Sequence, residues 1–113
     1  LWYCLATNPE ANYCLQEELR IHLNGAAPTP AQAETLTYTK MAFEETLRLY
    51  PPLWIISRRN VTEDYIGEYY IPAKKSVVIS PFTIQRHPEF WQEPHVFNPL
   101  NFSDENKKKR VKY

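Results

Sequence analysis

Glu45 and Arg48 stand three residues apart in a run of good helix formers, Met41-Ala42-Phe43-Glu44-Glu45-Thr46-Leu47-Arg48-Leu49, which Pro51-Pro52 ends. That spacing puts a carboxylate and a guanidinium on one helix face. In water such a pair contributes well under about 1 kcal/mol; buried, it survives only if each charge finds its partners. Arg59 is a second candidate, because its planar fork of donors suits carboxylates, and Arg58 beside it offers an alternative register. His22, His87 and His95 fall on different predicted elements and lack metal-ligand spacing, so no zinc site is expected. Cys4 and Cys14 show no CxxC pattern and read as free thiols of an intracellular protein.

Thirteen basic side chains balance thirteen acidic ones, so no net field recruits nucleic acid or an anionic membrane. The run Lys107-Lys108-Lys109-Arg110 reads as a solvated loop. No stretch is apolar enough to span a bilayer and no charged-then-apolar leader opens the chain. Asn60-Val61-Thr62 and Asn101-Phe102-Ser103 match the glycosylation pattern by chance. A start at Leu1 suggests a slice of something longer.

These residues need elements to position them. Leu1 to Thr7 reads as helical turns closed by Asn8-Pro9. A helix from Pro9 repeats Leu15, Leu19 and Leu23, stops at Asn24-Gly25, and shows Glu17, Glu18 and Arg20 to water. Ala26 to Thr35 reads as a linker with one helical turn. Thr37 to Leu49 is a helix with an apolar stripe built around Met41 and Leu47. Leu53 to Ser57 and Ser76 to Ser80 read as strands, and Tyr65 to Ile71 as a hairpin turning at Gly67-Glu68. A short helix from Pro81 through Arg86 leads into a long coil disciplined by Pro88, Pro94 and Pro99. The fold class is α+β, over 1–113 as one slice of a single domain.

The ordered run from Glu45 to Phe102 resembles the cytochrome P-450 superfamily. Met41 to Pro52 is similar to its K helix, with the Glu-x-x-Arg pair. Arg59 precedes Asp64 by five, as a similar Arg and Asp do there. His87-Pro88, Trp91, Pro94, Phe97, Pro99 and Phe102 resemble the family's segment before the meander, and Leu5 to Glu10 the junction of its I and J helices. The resemblance implies a mainly helical fold carrying J and K helices, short strands, a K' helix and the meander.

It also implies roles. Glu45 and Arg48 would join a buried ion network whose third member is basic in the family; Asn101 stands there instead, and an amide hydrogen-bonds Glu45 without balancing its charge. Arg59, favoured over Arg58 by its spacing to Asp64, would pair with a haem propionate. Leu53, Trp54, Ile55 and Ile56 would face a hydrophobic substrate, such as a fatty acid or other lipid-like molecule. The cofactor implied is haem b, and the partners are O2 and an electron-donating reductase or ferredoxin. The axial cysteine loop is expected after Tyr113 and the proton relay before Leu1, so the 113 residues hold no catalytic group or metal ligand and are expected to be inactive alone. Alternatives are a naturally truncated, non-catalytic remnant and a small α+β binding module. Cytoplasmic and membrane-associated locations are not separated.

Overall fold

A computed structural model describes residues 1–109. Four helices open the chain: α1 (Trp2–Thr7), α2 (Pro9–Leu23), α3 (Pro30–Thr35) and α4 (Thr37–Leu49). Asn8 separates the first two because Pro9 cannot continue a helix from α1, and its Nδ2 donates to the Cys4 carbonyl over 2.7 Å. The left-handed Asn24 (φ 46°) closes α2. In the Pro-rich linker, Thr29 and Gln32 form a reciprocal capping box, which starts α3.

Helices α2 and α4 pack together through a small apolar centre of Leu5, Leu15 and Ala42, with Leu1, Leu19, Tyr38 and Phe97 against it. The buried face of α4 is Ala42, Glu45, Thr46 and Leu49, with Arg48 beside it. This corrects the stripe expected from Met41 and Leu47: Leu47 points outward, because the inward positions three, four and seven beyond Ala42 are Glu45, Thr46 and Leu49.

The second half holds β1 (Ile56–Arg59), β2 (Asp64–Ile66), β3 (Tyr69–Ile71) and β4 (Ser76–Ile79), then α5 (Pro81–Ile84). Strands β2 and β3 form a hairpin with Ile66 opposite Tyr69, so Gly67 and Glu68 make a two-residue turn. Gly67 sits at φ 59°, the left-handed region that the first position of a tight hairpin turn demands. Strands β1 and β4 pair antiparallel outside it, from Ile56 opposite Ile79 to Arg59 opposite Ser76. The expected strand over Leu53–Ser57 is therefore displaced toward the C-terminus. Its partner turns away at Ser80-Pro81 to begin α5, and only the Trp54 carbonyl still bonds across, to Phe82 N at 3.4 Å and Ser80 Oγ at 3.3 Å.

Asn60 ties the base of this arm. Its Nδ2 donates to the Thr62 and Pro72 carbonyls at 2.7 and 2.8 Å, and its Oδ1 accepts from Lys75 N at 2.7 Å. Its side-chain amide is thus consumed by the backbone.

The coil after α5 ends in a 3-10 turn, Pro99–Phe102, which packs on α4, and in α6 (Asp104–Lys109). The basic run is thus not a loop through Lys109: it ends a helix, with Lys107 Nζ 2.7 Å from Glu44 Oε2 and Lys109 Nζ 2.7 Å from Glu105. Arg110, the last of that run, lies outside the described residues. The chain is elongated, 58 × 29 × 26 Å, with a radius of gyration of 18.6 Å, whereas a compact domain of this length has about 13 Å.

Candidate functional site

The structure brings four stretches to one buried pair. Glu45 is 0% exposed and Arg48 2%. Arg48 Nε donates to Glu45 Oε2 at 2.7 Å and Nη2 to Oε1 at 2.8 Å, a bidentate fork on one helix face. The remaining donors reach backbone carbonyls: Nη1 to Gln85 at 2.8 Å and Pro94 at 2.7 Å, Nη2 to Val96 at 3.1 Å. All five N–H groups of the guanidinium are therefore satisfied, the condition under which a buried charge is tolerated. The Trp91 ring covers the guanidinium face at 4.7 Å, closing it from water.

Glu45 Oε1 also accepts from Asn98 N at 2.9 Å and from Asn101 Nδ2 at 3.1 Å. The side chain at 101 thus supplies a hydrogen bond and no charge, so the pair is neutral by itself. Through Arg48 and Glu45, α4 holds the segment from Gln85 to Asn101 that would otherwise be an unsupported coil.

Glu18 belongs to the same architecture, and sequence reasoning assigned it to water. Its Oε1 accepts from Tyr38 N at 2.6 Å, and its Oε2 from Thr39 N and Oγ1, both at 2.8 Å. A carboxylate from α2 thereby caps the free N–H groups of α4's first turn, where the helix dipole favours negative charge. Leu36, which precedes that turn, has no side-chain oxygen, so the cap had to come from elsewhere. Beside it, burial first and the Cys14 thiol next push the Tyr38 hydroxyl up to about 12.

Arg59 is exposed on β1, apart from this network. Its Nε donates to the Lys74 carbonyl at 3.1 Å, and among the described residues its two terminal nitrogens have no acceptor. Arg58 Nη1 donates to its neighbour's carbonyl, Ser57, at 3.3 Å. A guanidinium oriented by one bond with its fork still open fits a carboxylate ligand.

Leu53, Trp54 and Ile55 are 68, 61 and 41% exposed. Trp54 lines an apolar cleft of about 510 Å³ with Tyr50, Pro51 and Phe82. Both cysteines are free, Cys4 buried on α1 and Cys14 exposed on α2. Among the described residues no group of His, Cys, Asp or Glu is clustered to hold a metal, and no helix is long and apolar enough to cross a membrane.

Helices and small antiparallel sheets are organised about a satisfied Glu-x-x-Arg pair, an arrangement with known relatives. The family model described as Cytochrome P-450 matches residues 1–113. Cyclooctatin synthase of Streptomyces melanosporofaciens is 35% identical over 95% of this chain and 23% of its own length. Cytochrome P-450 4X1 of Rattus norvegicus is 38% identical over 97% of the chain and 22% of its own, and cytochrome P-450 3A41 of Mus musculus 39% over 93% and 21%. The chain belongs to the cytochrome P-450 family. It spans between a fifth and a quarter of the length of these relatives.

Proposed function

We propose that these residues are the proximal framework of a haem-dependent monooxygenase, the part that holds the cofactor's surroundings rigid. The observation that carries this reading is the Glu45–Arg48 pair, buried, bidentate and bonded to three carbonyls of the segment after α5, in a chain the family model matches throughout. On this reading α1 and α2 correspond to the end of the I helix and to the J helix. Helix α4 corresponds to the K helix, α5 to the K' helix, and the stretch through Pro99–Phe102 to the meander.

The cofactor would be haem b, which would supply activation of O2 when bound. Arg59 offers its open fork to a propionate. Asn101, Asn98 and Arg48 fix Glu45, and Trp91 keeps water from the pair. Leu53, Trp54 and Ile55 face a hydrophobic substrate, a fatty acid or similar lipid-like molecule, the Trp54 ring from the apolar cleft it lines with Tyr50, Pro51 and Phe82. In the net reaction one oxygen atom enters a C–H bond and the other leaves as water, with two electrons from a reductase or ferredoxin and two protons.

The 113 residues alone are inactive on this account. Their elongated shape and small apolar centre disfavour a self-standing binding module. The test is turnover of the native gene product with an electron donor, a fatty-acid panel and isotopically labelled O2. One labelled oxygen in the product supports the reading; unlabelled product, or none across apolar substrates, counts against it.

A further inference from the structure

Arg86 follows Gln85, whose carbonyl accepts from Arg48 Nη1 at 2.8 Å. The relation is reciprocal: Arg86 Nη2 donates to the carbonyl of Leu49, the residue after Arg48 and the last of α4. Each arginine thus binds the backbone of the other's element. A cation at that end of a helix also meets the negative pole of its dipole. The Arg86 guanidinium lies 3.8 Å over the Phe82 ring and 5.9 Å over the Tyr50 ring, and its Nη1 reaches the Phe82 carbonyl at 3.4 Å. These two aromatic contacts favour holding the cation in place.

We infer that Arg86 is a positioning residue for the buried ion pair, setting where the end of α4 stands so that Arg48 meets its three carbonyls. Among the described residues, Arg86 and Arg48 make the hydrogen bonds that join the last turn of α4 to the segment after α5. Burial lowers the Arg86 guanidinium from its ordinary value, and Arg48's charge acts in the same direction, consistent with two cations held close. Glu18 at the opposite end of α4 supplies a control, because it caps the same helix without approaching Arg48's partners.

The test is peptide-level hydrogen exchange in the native gene product, comparing Arg86→Ala and Arg86→Lys with Glu18→Gln. The reporter is residues 94–98: it contains the Asn98 amide that Glu45 holds, and Arg86 makes no bond to it. Arg86→Ala should speed exchange there by about tenfold, while Glu18→Gln speeds exchange only around 37–40. Arg86→Lys, which keeps a cation for the Leu49 carbonyl, should stay within about threefold of the parent. Unchanged exchange at 94–98 in Arg86→Ala, or equal acceleration by Glu18→Gln, would overturn the inference. Should Arg86→Ala not fold, Arg86→Gln, which keeps a donor and loses the cation, decides: acceleration confined to 45–50 and 94–98 supports the role, and a uniform or absent one contradicts it.

Discussion

Asn101 Nδ2 donates to Glu45 Oε1 over 3.1 Å, from a side chain 56 positions further along the chain. An uncharged amide therefore stands at the edge of a buried carboxylate whose one ion-pair partner among the described residues is Arg48. Asn101→Ala should cost about 1.5–3 kcal/mol, the range for a hydrogen bond to a charged group. Asn101→Asp should cost more, because it sets a second carboxylate against the first. Urea-midpoint shifts in the native gene product measure both; equal midpoints for Asn101→Ala and parent would remove Asn101 from the network.

Arg48→Lys keeps the charge and loses the fork. A lysine ammonium offers three donors where five acceptor contacts are now filled, and it cannot lie flat against Trp91. The expected loss is about 3–5 kcal/mol, the scale of a broken buried pair. It should appear as a collapse in the yield of folded, haem-containing protein; a yield like that of the parent would contradict the role given to the fork.

Glu18→Ala removes the carboxylate that caps α4 and leaves Tyr38 N and Thr39 N without their acceptor. A destabilisation of about 1–2 kcal/mol is expected, the upper part of the N-cap range. Glu18→Asp, one methylene shorter, should recover only part of it. Thermal or urea unfolding of the three proteins side by side reads the order.

Tyr38 gives a pH signature. Its hydroxyl titrates near about 10 in an unfolded chain and about 12 when folded, so between those values the unfolded state has lost the proton that the folded state keeps. The contribution to stability is whole below pH about 10 and is lost as pH rises toward about 12. Stability measured across that window should fall less steeply in Tyr38→Phe than in the parent, and the difference in tyrosinate absorbance between the two should titrate near the upper value.

The hairpin and the core pair were legible to different degrees. Gly67-Glu68 between apolar runs signalled a two-residue turn, and the prolines at 9, 51 and 81 marked element boundaries that the fold respects. The buried face of α4 was not legible from periodicity, because its positions hold Glu45 and Thr46, which any hydrophobicity pattern reads as outward. Only the resemblance to a family signature pointed inward for Glu45 and Arg48. Glu18 was hidden for a related reason: a carboxylate on an amphipathic helix looks solvated until the bare start of another helix is placed beside it in space. Strand β1 was displaced because a strand's limits belong to its partner, and β4 turns into α5 opposite Ile55. Arg86 carried no signal of its own, since its acceptor is a backbone carbonyl 37 residues earlier.

The central claim is that these residues serve a haem-thiolate monooxygenase, and the carbon monoxide difference spectrum of the reduced native gene product tests it most directly, with the intact mass taken on the same sample. The account predicts a chain several times heavier than 13.4 kDa that shows the thiolate-type Soret band from which the family takes its name. A mass near 13.4 kDa with no haem band would contradict it, leaving the buried Glu45–Arg48 pair as the inheritance of a fold that no longer performs the chemistry.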